Sequence, residues 1–171
     1  MPRNRSVSDE VIHATLRQML AEGGEKAVSF ATVGAAVGLA ASTLAQRFAT
    51  RDGMVHAALL DGWQHLETVT AEAEAEAPAS AKGVPVLLKL IGRNREAEIA
   101  SLVNNLRDSE LRSAAAAWRA RVETAIALRL GSGEKARDSA AMVFAAWQGR
   151  LIWNEPGESG FRLKDAVKRL I

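Results

Sequence analysis

The stretch VGAAVGLAASTLAQRFATRDGM, Val33 to Met54, decides the fold. Val33 and Val37 stand four apart, Gly38 closes the segment, and Leu44 and Phe48 stand four apart again. Residues at that spacing share one face of a helix. Just upstream, Ser29 is placed to cap a helix that carries Phe30 inward. Two short helices joined at a glycine, followed by a long one, meet the requirement for a helix-turn-helix. One helix braces and the next lies in a major groove.

Working outward, Ser6 or Ser8 with Asp9 and Glu10 starts helix one, Ile12, Leu16, Met19 and Leu20 form its apolar stripe, and Gly23-Gly24 ends it. After Ala49-Thr50 a long helix four runs from about Arg51 to Ala77, with Val55, Leu59, Trp63, Leu66 and Val69 on its buried side. Its AEAEAEA tail sets Glu72 and Glu76 on one face, at the helix end where the dipole disfavours acids, which predicts fraying. Pro78-Ala79-Ser80 then marks a domain boundary. Five more helical segments follow, striped by Val84, Leu87, Leu88 and Ile91; by Ile99, Leu102, Val103 and Leu106; by Leu111, Ala115, Trp118, Val122 and Ile126; then one from about Glu134 to Asn154, and a last one. Alanine is abundant and β-branched runs are absent, so the chain reads as all-α.

Composition narrows the class. A chain of 171 residues with 48% apolar content buries a core without staples, as one or two compact domains. The absence of cysteine removes disulfides and thiolate chemistry and fits a reducing compartment, so a cytoplasmic location is expected. No apolar stretch has signal-peptide or membrane-spanning character, which predicts a soluble protein with no membrane partner. Net charge is only +2, so a nucleic-acid partner requires locally placed cations.

The segment AAMVFAAW, Ala140 to Trp147, is apolar on every side of a helix and must be covered all round. A second copy of the chain is the simplest cover. Met142, Ala145 and Ala146 allow close helix approach in such a homodimer, completed by Phe161, Leu163, Val167 and Leu170 of the last helix.

The N-terminal frame resembles the TetR family of bacterial transcription regulators. The matching residues are the Val33-Gly34-Ala35-Ala36-Val37-Gly38-Leu39 run, the Ser42-Thr43-Leu44 step, Phe48 and Thr50-Arg51-Asp52, within a resemblance spanning about Val11 to Leu60. It implies a helix-turn-helix DNA-binding domain over 1–50 and a helical effector-binding and dimerisation domain over 51–171, linked by the long helix over about 51–77. The implied function is a homodimeric repressor on a pseudo-palindromic double-stranded DNA operator, released by a small-molecule effector.

The sequence departs from the family pattern at four positions. Ala40 stands where a Ser usually caps the recognition helix, Ala45 where a Tyr commonly touches a phosphate, Arg47 for a frequent His and Arg51 for a frequent Lys. Direct readout then falls to Ser42, Thr43 and Gln46, with Ala41 and its neighbouring alanines offering methyl contacts to thymine and Gln46 an adenine contact. Arg47 and Arg51 are expected to restore phosphate charge. Arg3 and Arg5 form a basic arm, and Ser29 and Thr32 can bond phosphates as well as cap.

The resemblance also implies an effector cavity. Trp118, Phe144 and Trp147, with Leu87, Ile91, Leu102 and Leu106 facing them, would line an apolar one suited to a hydrophobic or aromatic ligand, oriented by Asn104, Asn105 and Gln148. Aromatics at such spacing, Trp63 and Trp153 among them, otherwise serve as core. Of the histidines His13, His56 and His65, only His65 has a partner at ligand spacing, Asp61, and two ligands do not make a metal site. No phosphate loop and no Ser, His and acid arrangement is present, so neither an enzyme nor a cofactor is expected. The rival to the regulator is a helical dimer of the same fold that has lost operator reading and serves as a ligand-binding or protein-interaction module.

Overall fold

The computed structural model describes residues 7–153 together with Asp165, Val167 and Lys168. Among them every regular element is helical: α1 (Asp9–Gly23), a 3-10 turn (Glu25–Ala27), α2 (Phe30–Val37), α3 (Ala41–Phe48), α4 (Arg51–Glu76), α5 (Gly83–Gly92), α6 (Glu96–Asn104), α7 (Ser109–Leu130) and α8 (Glu134–Trp153). Arg3, Arg5, Phe161, Leu163 and Leu170 lie outside the described residues.

α1, α2 and α3 form a head around Ile12, Leu16, Val33 and Leu44, all fully buried. α4 packs on α1 in the head and on α5 and α7 in the body, and α6 reaches back to α1. The apolar interior is therefore one cluster running from Ile12 to Val167. Helix four begins where the sequence predicts, because the Thr50 hydroxyl accepts the Gly53 N–H at 2.9 Å and caps it.

At the end where fraying is expected, helix four meets partners from another helix. Its helix persists to Glu76, and the cations that hold its end come from α7. The Arg129 guanidinium donates to the carbonyls of Glu74, Ala77 and Pro78 at 2.9, 3.2 and 3.1 Å. Arg121 donates to the Glu74 carboxylate at 2.7 Å and to Glu67 at 3.0 Å. Cations at a helix C-terminus offset the acid penalty that the sequence displays in isolation. Pro78 opens a short turn that folds α5 back against α4.

α8 buries Ala140, Val143, Phe144 and Trp147 against α7 and α6, while Met142, 50% exposed, and Ala145 face outward and Ala146 is half-buried. Its own described chain covers only one side. Val167 corrects the expected dimer face: at 3% exposed it packs into the chain's own core, so its side chain is not available to a partner.

Candidate nucleic-acid interface

The start of α2 is closed by a reciprocal cap. The Thr32 N–H donates to Ser29 Oγ at 3.0 Å, and the Ser29 N–H donates to Thr32 Oγ1 at 2.8 Å. Thr32 Oγ1 also donates to the Ala27 carbonyl at 2.8 Å. Of the two roles open to this pair, capping is the one the fold fills. The chain then folds back so tightly that a Cβ at Gly34 would lie 2.6 Å from the Leu39 carbonyl oxygen, a distance no side chain tolerates. This glycine fixes how closely α3 follows α2.

On α3, Leu44 is fully buried and Phe48 half-buried, which turns Ala41, Ser42 and Gln46 to the exterior. Thr43 and Ala45 are half-buried at the edges of that face. Ser42 and Gln46 stand one turn apart and share a side. Ala40 offers no side-chain cap at the start of α3, where the Thr43 N–H turns back to the Ala40 carbonyl at 3.0 Å.

The two arginines expected to supply phosphate charge are already engaged. Arg47 donates to the Val7 carbonyl at 2.9 Å and to Asp9 Oδ1 at 3.0 Å, tying the end of α3 to the start of α1. Arg51 donates to the carbonyls of Val28 and Glu25 at 2.9 and 2.8 Å and to Asp52 Oδ1 at 2.9 Å. It braces the segment between α1 and α2. The sequence shows the charge of these residues but not the carbonyls that capture it.

Head and body are joined by ionic contacts that sequence reasoning missed. Arg17 of α1, only 8% exposed, pairs with Asp61 of α4, donates to the Ala58 carbonyl at 3.3 Å and to Glu98 Oε1 of α6 at 2.8 Å. Its partners are far away in sequence, and its place beside Leu16 on an apolar flank is the only hint. Gly62 lets it lie there, since a Cβ would meet Arg17 Cδ at 2.7 Å and Leu102 Cδ2 at 2.8 Å. Asp61 is thus committed to Arg17, while His65 is exposed at the rim of a polar cleft of about 770 Å³ between α1, α4 and α6.

A second contact runs through the α6–α7 connection. Arg107 pairs with Glu25, and His56 Nε2 of α4 lies 3.3 Å from Asp108 Oδ2 and 3.5 Å from Glu110 Oε2. Asp108 caps α7, accepting the N–H groups of Leu111 and Glu110 at 2.9 and 3.0 Å. The Leu111 N–H holds its carboxyl below the usual carboxylate range, against opposing desolvation and with help from His56 and the Glu110 N–H.

The residues expected around an effector cavity come together as a packed core. Leu87, Ile91 and Leu102 are essentially inaccessible, Trp118 and Phe144 are 1% exposed, Trp147 is 6% exposed, and Leu106 is half-buried at the α6–α7 connection. The rings fill the space between α4, α7 and α8. Asn105 donates back to the Ser101 carbonyl at 2.7 Å, Asn104 is exposed and Gln148 is half-buried, so the three do not converge on these rings as a polar set.

No protein-family model matches the sequence, and no curated protein does. Solved structures match nearly its whole length. A transcriptional regulator from Rhodococcus sp. Rha1 is 20% identical, with a TM-score of 0.75, covering 96% of this chain and 94% of that one. A regulator from Saccharomonospora viridis in complex with choline is 17% identical, with a TM-score of 0.70, covering 95% and 92%. The TetR-family regulator PfmR from Thermus thermophilus is 16% identical, with a TM-score of 0.62, covering 92% and 93%. With its head of three helices, its capped linking helix and its helical body, this chain has the fold of the TetR-family transcription regulators.

Proposed function

We propose that the chain regulates transcription, as a homodimeric repressor that places two copies of α3 in successive major grooves of a pseudo-palindromic operator. The half-sites would lie about 34–36 Å apart. The observation that carries this is the outward face of α3, where Ala41, Ser42 and Gln46 stand exposed over the buried anchor Leu44. Ser42, Thr43 and Gln46 read base edges, and the uncapped start of α3 is open to a phosphate. The exposed side of α8 at Met142 and Ala145 is the face we assign to the second copy, with Ala146 at its edge.

A small apolar effector would bind the body and act by preferring one arrangement of head against body, so its differential affinity sets the size of the switch. That a similar regulator was solved in complex with choline supports a small-molecule ligand. Arg17 and Arg107 are the contacts through which a shift of α6 reaches the head. The reading contains no catalytic step and requires no cofactor.

A second reading draws on Arg47 and Arg51. Both are held by internal acceptors, so among the described residues these two phosphate candidates are engaged within the chain, which favours a dimer of this fold that has lost operator reading. Gln46→Ala separates the two. If α3 reads DNA, duplexes selected by this variant lose discrimination at one base pair per half-site, by roughly 1–3 kcal/mol, while others are kept. Unchanged preference at every position contradicts readout by Gln46.

A further inference from the structure

Arg47 is the one basic residue of α3, and the start of α1 holds it. It stands four residues after Thr43, on the same edge of the outward face, and is exposed. Both bonds to α1 leave from one nitrogen: Nη1 donates to the Val7 carbonyl at 2.9 Å and to Asp9 Oδ1 at 3.0 Å. Nε and Nη2 take no part in these two bonds.

The two acceptors differ in kind. Val7 packs against the core, so its carbonyl is a fixed, neutral point. Asp9 lies in the first turn of α1 with 58% of its side chain exposed, and its carboxylate is a solvated charge on a movable side chain. An ion pair this exposed contributes little, because water and salt screen it and two side chains must be held still. A phosphate oxygen offers the same guanidinium an acceptor of like charge and like geometry. Arg51 is held differently: Nε and Nη2 go to the carbonyls of Val28 and Glu25, and Nη1 goes to Asp52.

We propose that Asp9 is an internal stand-in for a DNA phosphate: it occupies Arg47 in the free chain and gives way to a phosphate oxygen when α3 enters the major groove. This one carboxylate then sets how tightly the head holds any duplex. The inference rests on the regulator reading for the docking of α3 and adds to it a restraint inside the head. On docking, the bond from Nη1 to Asp9 breaks, the bond to Val7 stays, and the guanidinium turns its other edge to the backbone of the duplex. The carboxylate left behind repels the same phosphate, so Asp9 opposes binding twice. Phosphates carry no sequence information, so the restraint acts on all duplexes alike and leaves base preference unchanged.

The test measures binding of a labelled random-sequence duplex by fluorescence anisotropy at fixed, moderate salt, for the full chain and for its Asp9→Asn and Glu10→Gln variants. Each variant removes one negative charge from the same helical turn, but Arg47 pairs with Asp9, whereas Glu10 lines the cleft toward α6. Asp9→Asn binds about threefold more tightly than the unaltered chain and Glu10→Gln by under about twofold, and the excess disappears when Arg47→Ala is added. A gain from Asp9→Asn no larger than that from Glu10→Gln, or an excess that survives in the Arg47→Ala background, overturns the proposal. The two single variants alter exposed side chains and decide the matter even if Arg47→Ala does not fold. A chain that selects an inverted repeat without this difference keeps the regulator reading and loses the restraint. The difference without any selected sequence does the reverse, and a chain that binds no duplex before or after Asp9→Asn loses both.

Discussion

Arg17 of α1 donates its Nε–H to Glu98 of α6 at 2.8 Å, across 81 residues of chain and across the border between head and body. The same guanidinium holds Asp61 of α4, so three helices share one cation. The fork geometry of arginine suits two carboxylates at once, which a lysine ammonium does not reproduce. Arg17→Ala is therefore expected to lower unfolding stability by about 2 kcal/mol, read from urea midpoints, with Arg17→Lys recovering less than half. Equal midpoints for Arg17→Lys and wild type would show that charge alone suffices.

Gly34 carries a steric demand that no rotamer relieves, because the opposing atom is the Leu39 carbonyl oxygen of the backbone. Gly34→Ala forces α3 away from α2 and costs about 1–3 kcal/mol. Thermal melts should show the loss, and DNA affinity should fall with it as the tilt of α3 changes. A melt indistinguishable from wild type would mean that the turn yields freely.

The Asp108 carboxyl lies below its ordinary value in the folded chain, chiefly through the Leu111 N–H. A group lowered in this way stabilises the fold fully above its unfolded value, and that stability is lost as pH falls through the lowered folded value. Melting temperature should therefore fall on acidification below the ordinary carboxylate range, and Asp108→Asn, which cannot ionise, should fall less steeply over the same window. Parallel acid profiles would remove Asp108 from the account.

Arg129 closes the end of α4 by bonding three carbonyls of its last turn and the residues beyond. Arg129→Ala should release the tail from Ala71 to Ala77, raising its amide hydrogen exchange severalfold while α4 amides near Leu59 stay protected. Uniform protection in the variant would mean that Arg121 alone suffices.

The helices and the head were legible because their signals are local. Leu44 and Phe48 at four-residue spacing, Gly38 after Val37, and Thr50 before a long apolar stripe each act within a few residues of themselves. What sequence does not show is the work of partners far along the chain. The acidic tail of α4 looks frayed until Arg121 and Arg129 arrive from α7. Arg47 and Arg51 look like free phosphate ligands until the carbonyls of Val7, Val28 and Glu25 are in place. Trp118 and Trp147 look like cavity walls, and in the fold they fill the space themselves. Ser42 and Gln46 on the outer face of α3 could be placed from sequence, since the face follows from Leu44, whereas what they touch could not.

Selection of bound duplexes from a random pool by the purified protein, at near-physiological salt so that nonspecific attraction does not dominate, tests the central claim most directly. The account predicts an enriched inverted repeat whose half-site centres stand about one helical turn, roughly 10–11 base pairs, or a multiple of it apart. A folded dimer that enriches no sequence would contradict it, leaving α3 as a helix of the right shape that no longer reads DNA.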